Sequence, residues 1–183
     1  DDKSLLEQAF EHRSYLNENP GFNLQSNERL EFLGDSVLGY VVAENLYSLF
    51  PSMPEGALTS LRAAIVRSEA LARVAKRLGL GAYLFLGRGE EASGGRSRPI
   101  NLARTFEALV GAILLDRGLG DCRRFVVASL QEELARVVRE KAGKDYRSRL
   151  QELTQGRWQL TRTYRTVAAV GPDHAKTFTV EVM

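Results

Sequence analysis

The chain has 183 residues, 44% hydrophobic and 26% charged, with a net charge of +2. Its one cysteine, Cys122, excludes a disulfide framework. The longest apolar run, Leu109 to Leu115, is far short of a membrane span and no signal peptide is visible, so a cytoplasmic protein with no membrane partner is expected. The charge is unevenly spread: residues 141–183 carry +4 and residues 1–140 carry −2.

The first segment that carries chemistry is Asn27-Glu28-Arg29-Leu30-Glu31-Phe32-Leu33-Gly34-Asp35-Ser36-Val37-Leu38. Leu30, Leu33, Val37 and Leu38 recur with the period of a buried helix face. Glu28, Glu31 and Asp35 fall at i, i+3 and i+7, in one stripe along that helix. Glu31 and Asp35 repel each other by roughly 0.2–0.5 kcal/mol in an isolated helix, and a hard divalent cation would remove that repulsion. The plain alternative is a solvated acidic face. Gly34 and Gly39 each cost about 1 kcal/mol in a helix interior, which predicts close approach of another helix.

Residues 87–99, from Gly87 to Pro99, read as a flexible polar loop. The loop contains Gly-x-Gly but no lysine followed by Ser or Thr, and Glu90 and Glu91 would repel phosphate, so no nucleotide cofactor is implied. Arg96 and Arg98 are either solvated charges on a mobile connector or contacts to a nucleic-acid backbone. Residues 100–116 place Leu102, Phe106, Leu109, Val110, Ile113 and Leu114 in a wide apolar stripe, as in a helix deep in a core. Glu107 lies in the middle of it. An unpaired charge there is expensive, so a cation is expected nearby. Gly111, one turn on, again predicts a close neighbouring helix. Two core helices with inward acids make an oxygen-rich site suited to magnesium or manganese. Cys122 has no histidine close in sequence and reads as a packed small hydrophobe, and His12 as hydrogen-bonded within the first helical region.

The character changes near residue 141. Lys141-Ala142-Gly143-Lys144 reads as a polar linker, and Asp145 as the cap of a helix from Tyr146 to about Gln155. Residues 162–170 and 177–183 read as strands, the second with Phe178, Val180 and Val182 on one face, and Gly171-Pro172-Asp173 turns the chain between them. The expected organisation is a helical domain over 1–140, a linker over 141–145 and an α-β-β segment over 146–183. An acidic site and a basic appendage suit an enzyme that grips a polyanion at one end and cuts it at the other.

The stretch 27–38 resembles the signature of the ribonuclease III family. So do His12-Arg13-Ser14-Tyr15, Glu55-Gly56-Ala57-Leu58-Thr59 with Leu61-Arg62-Ala63, and Phe106-Glu107-Ala108-Leu109-Val110-Gly111-Ala112. The resemblance covers nearly the whole chain. It implies a mainly α fold, with an all-helical endonuclease domain followed by the front part of a double-stranded RNA-binding domain. It implies a homodimer that cuts double-stranded RNA with Mg2+ (Mn2+ able to substitute), each site cutting one strand to leave staggered ends, in the processing of rRNA and mRNA precursors. By position, Glu31, Asp35 and Glu107 match metal-binding carboxylates, and Glu28 and Glu55 match acids lining the RNA valley. Phe32 matches an aromatic knob that enters a socket on the second subunit; read without the resemblance, it is a core residue. The loop arginines Arg96 and Arg98 precede the catalytic helix and become candidates for RNA contact. Gln151 matches a minor-groove contact, and His174 lies in the loop that enters a neighbouring minor groove. Such domains read A-form shape rather than base sequence. The third strand and last helix of that domain do not follow, and the native chain is expected to be longer at both ends.

One position departs from the family pattern. Three residues before the last glutamate, where the family has an acid or an amide, stands Arg104. A guanidinium has no lone pair to give a metal. Arg104 either pairs with Glu31 or Glu107 in place of metal, or points to RNA phosphate and leaves three carboxylates for one weaker ion. The first outcome carries an alternative reading, a dimer that holds double-stranded RNA without cutting it. A third reading is a helical interaction module whose acids are merely exposed.

Overall fold

A computed structural model describes the backbone of residues 1–21, 25–158, 164–170 and 177–182, and the side chains of residues 1–21, 25–141 and 167. The chain divides into two compact units, Asp1–Val138 and Arg139–Met183.

In the first unit the helices are α1 (Lys3–Ala9), α2 (Arg13–Glu18), α3 (Glu28–Leu49), α4 (Glu55–Val66), α5 (Ser68–Arg77), α6 (Arg88–Ala92) and the part of α7 (Pro99–Trp158) that runs to Val138. Gly118 breaks α7 with φ 75° and ψ 178°, a positive-φ extended conformation that essentially only glycine adopts without strain. The apolar period in the sequence becomes burial. On α3, Leu30, Gly34, Leu38, Val41, Val42 and Leu46 face inward. On α7, Leu102, Phe106, Leu109 and Val110 are buried, and Ile113 and Leu114 pack partly buried against the same core. Leu71 and Val74 of α5 complete that core, and Phe106 stacks on Phe125 at 5.8 Å.

The glycines show how closely α3 and α7 approach. A Cβ on Gly34 would stand 1.8 Å from the Glu107 carbonyl oxygen, and one on Gly111 2.3 Å from that of Leu30. Neither backbone leaves room for a methyl group. Gly39, expected to do the same, has nothing within 4 Å and marks no contact.

The N-terminal segment is tied to a distant part of the chain. Glu11 pairs with Phe85 as a parallel bridge, the His12 amide donating to Phe85 O at 3.1 Å and the Phe85 amide to Phe10 O at 3.0 Å. His12 caps α2, its Nδ1 accepting from the Ser14 amide at 3.2 Å, and the Ser14 hydroxyl accepts from the Gly87 amide at 2.9 Å. The motif His12-Arg13-Ser14-Tyr15 is thus a clasp for the 85–87 segment, and the Tyr15 ring lies 5.5 Å from that of Phe85. The clasp buries Glu11 completely, with no hydrogen-bond partner for either carboxylate oxygen. Elsewhere, buried Glu133 of α7 takes two 2.9 Å bonds from Arg73 of α5 and further bonds from Arg136 at 3.1 and 2.6 Å.

The glycine-rich stretch is not a mobile connector. It folds into α6 and a short 3-10 turn, Gly95–Ser97. Arg96 pairs with Glu91 and donates to the carbonyls of Gly81, Ala82 and Leu84. Arg98 pairs with Glu90 at 2.5 Å and donates to the Ser93 hydroxyl at 2.9 Å. Buried Asn101 joins the stretch to α7 through Glu90 and the Gly95 carbonyl.

In the second unit, the linker expected over 141–145 is helical backbone, and Asp145 lies inside the helix rather than capping one. The expected strands form as an antiparallel pair, β1 (Tyr164–Val170) and β2 (Thr177–Val182), with a bulge between Thr166 and Ala168. The turn at Gly171-Pro172-Asp173 lies outside the described residues.

Candidate active site

Asn27 sets the start of α3. Its buried side chain donates to the Ala9 carbonyl at 3.3 Å, its amide to Glu11 O at 2.9 Å, and its own carbonyl accepts from the Glu31 amide at 2.8 Å. The sequence signalled Asn27 only as a residue type common ahead of helices; the contacts that matter are tertiary.

From that start Glu28, Glu31 and Asp35 run along α3. The Gly34–Gly111 approach brings them beside Glu107 of α7. Glu28, Glu31, Phe32, Asp35, Arg104 and Glu107 line a single cavity of about 390 Å³. The larger cavity of about 680 Å³ lies elsewhere, among Val41, Leu46, Ile65, Val126 and Leu130, and is apolar.

The acids feel one another. Burial pushes the Glu107 carboxyl up to about 7, and the charges of Asp35 and Glu31 push in the same direction. Glu31 is also raised, chiefly by burial, while the Arg104 guanidinium opposes the shift. A positive ion is what such a group lacks. The donor set, carboxylate oxygen throughout, fits a hard divalent cation. Among the described residues, no three potential ligands stand close enough to enclose an ion as they are. Arg104 is the nearby cation: its Nε lies 3.3 Å from Glu31 Oε1.

The remaining sequence candidates divide. Glu28 is at the site, held by the Ser26 hydroxyl at 2.9 Å and 3.9 Å from Arg13. Phe32 is 78% exposed, so it is no core residue. Glu55 sits in the first turn of α4, bonded by the Thr59 hydroxyl at 2.8 Å, and does not line the acid cavity. The guanidinium groups of Arg96 and Arg98 are engaged by the protein itself, Arg96 by Glu91 and the carbonyls of Gly81, Ala82 and Leu84, Arg98 by Glu90 and Ser93. The backbone of Gln151 is helical but its side chain, like all of His174, lies outside the described residues. Cys122 is buried, its thiol pushed up by burial and directed at Val110 O at 3.6 Å, the packed residue expected.

Residues 2–134 match the family model described as Ribonuclease-III-like. The chain belongs to the ribonuclease III-like family. It is accordingly an endoribonuclease, a hydrolase of phosphodiester bonds in double-stranded RNA, as the resemblance implied. Relatives named Ribonuclease 3 from Dehalococcoides mccartyi and Thermobifida fusca are each 50% identical, over 98% and 97% of this chain and 76% and 73% of their own length. The nuclease domain of ribonuclease III from Campylobacter jejuni, described for flexibility in a region involved in dimer formation, matches with TM-score 0.67 and 37% identity, covering 72% of this chain and 88% of that one. Dicer from Pichia stipitis matches with TM-score 0.53 and 28% identity, covering 100% of this chain and 80% of its own. This ribonuclease III-like chain has, among its described residues, no helix long and apolar enough to cross a membrane.

Proposed function

We propose that Glu31, Asp35 and Glu107 hold Mg2+, with Mn2+ able to substitute, and that this site cuts one strand of an RNA duplex. The observation that carries the reading is the meeting of α3 and α7 at Gly34 and Gly111, which turns acids from two distant stretches into one cavity. When bound, the ion lowers the pKa of a bound water and offsets charge building on the phosphate. The chain's own residues supply the rest. Glu31 and Asp35 offer oxygens from α3, and half-buried Glu107 offers its own from α7. Glu28 stands at the rim, where the duplex backbone would pass.

The enzyme acts as a homodimer in the cytoplasm. Exposed Phe32, on the rim of the same cavity, enters the second copy, so that two sites face one groove and leave staggered ends. Residues 146–183 form the front part of an RNA-binding domain, with Gln151 and His174 as minor-groove contacts. The basic charge of residues 141–183 supports that reading.

The test is cleavage of a long RNA duplex in Mg2+. Replacing Glu107 by Gln should lower the rate by about a hundredfold or more while the chain stays folded, because an acid holding the ion contributes several kcal/mol to the transition state. Cleavage that survives both the substitution and a chelator would overturn the metal assignment.

A further inference from the structure

We propose that Arg104 is a tethered counter-cation that keeps the place of one ion beside Glu31, leaving a site that takes up a single divalent ion per chain. This rests on the metal reading above. Arg104 projects from α7 and Glu31 from α3, and they meet with Nε 3.3 Å from Oε1. The guanidinium carries five donors and no lone pair, so at this position it neutralises an acid and ligates nothing. A positive charge fixed there repels a divalent ion placed against the same carboxylate.

Arg104 also lies on the wall shared by two cavities. The acid cavity is on one side. On the other is a polar cavity of about 260 Å³ lined by His12, Arg13, Ser14, Asn17, Asn27 and Asn101 besides Glu28, Glu31 and Arg104. Several of the neighbouring donors in that polar cavity are committed. The Asn27 amide serves Ala9, the Asn101 amide serves Glu90 and Gly95, and Arg13 lies by Glu28. Among the described residues the ion pair of Glu31 is with Arg104. The pair is not locked: Arg104 is 50% exposed and Glu31 24%, so solvent weakens it and an incoming ion competes with it.

The experiment titrates Mn2+ into the full chain without RNA, following heat and the electron paramagnetic resonance of free Mn2+. The wild type is compared with Arg104→Met, which keeps the stem and removes the charge, and Arg104→Asp, which adds a carboxylate. Circular dichroism melts confirm that all three are folded. The wild type should bind one ion per chain, and Arg104→Met should bind Mn2+ about tenfold more tightly, as expected for removing a partly screened unit charge. Arg104→Asp should bind more tightly still and take up a second ion. Equal affinity and count in the three proteins, or two ions on the wild type, would overturn the role given to Arg104 and leave the metal reading standing. No Mn2+ on any of them would overturn both.

Discussion

Glu11 and Glu133 are buried acids whose surroundings push their titration in opposite directions. Burial drives Glu11 up to about 7, with the Glu7 charge adding to it, and nothing donates to its oxygens. Hydrogen bonds from Arg73 first, then Arg136, hold Glu133 down at about 2. The ordinary value for both is 4.5. For Glu11 folding favours the protonated form, so its contribution is whole below about pH 4.5 and is lost as pH rises through 7. For Glu133 the contribution is present above 4.5 and is lost as pH falls towards 2. Replacing Glu11 by Gln should therefore stabilise the chain by about 1–3 kcal/mol at pH 8 and by almost nothing at pH 4.5. Thermal melts of the two proteins across that range measure it; a mutant no more stable at pH 8 than at pH 4.5 would show that the carboxylate is satisfied. No sequence pattern marks this residue. Glu11 owes its burial to pairing with Phe85, and no local periodicity encodes that pairing. Phe32 was more legible than the core reading allowed. At about 100° per residue it lies roughly 200° around α3 from buried Leu30, so helical phase already points it away from the core.

At the scale of elements, α3 and α7 were legible because each combines an apolar period with acids in the wrong place for it. Their contact was legible through glycine, but only in part. Gly34 and Gly111 lie at the crossing and Gly39 does not, since a glycine's cost in a helix says that something offsets it without saying what. The loop ahead of α7 was misread because composition counts its glycines and charges but not the pairs Arg96–Glu91 and Arg98–Glu90 that set its shape. The crossing itself gives a contrast between two alanine substitutions. Gly34→Ala puts a methyl group against the Glu107 backbone, which cannot yield without parting the helices, and should cost about 3 kcal/mol or more. Gly39→Ala meets open space and should stabilise the chain by up to about 1 kcal/mol through helix propensity. Denaturant unfolding of both variants decides it. Because Gly34 lies between Glu31 and Asp35, Gly34→Ala should also lower cleavage. Similar losses of stability in the two would mean that the crossing is looser than the backbone distances imply.

At the scale of the whole molecule, the question is what covers the outward face of α3. Phe32, Tyr40 and Tyr47 are 78%, 52% and 74% exposed. At about 100° per residue the three fall within roughly 80° of one another around the helix, so they form one aromatic stripe opposite the buried face. An exposed stripe of this kind at the edge of an acid cavity fits the proposed homodimer, in which Phe32 is the anchor entering the second copy. Anchoring aromatics at interfaces commonly carry 2–4 kcal/mol, whereas peripheral ones carry little. Phe32→Ala should then weaken self-association by about thirtyfold or more, read as a concentration-dependent shift to monomer in sedimentation, with little change in the unfolding of the monomer because the ring contributes nothing to the core. Cleavage should fall with it at low protein concentration and recover at high concentration, since the acids on each copy are untouched. That recovery separates an assembly defect from a damaged site. A variant that stays dimeric, or that loses cleavage at every concentration, would take the anchor role from Phe32 and place it in direct contact with the RNA instead.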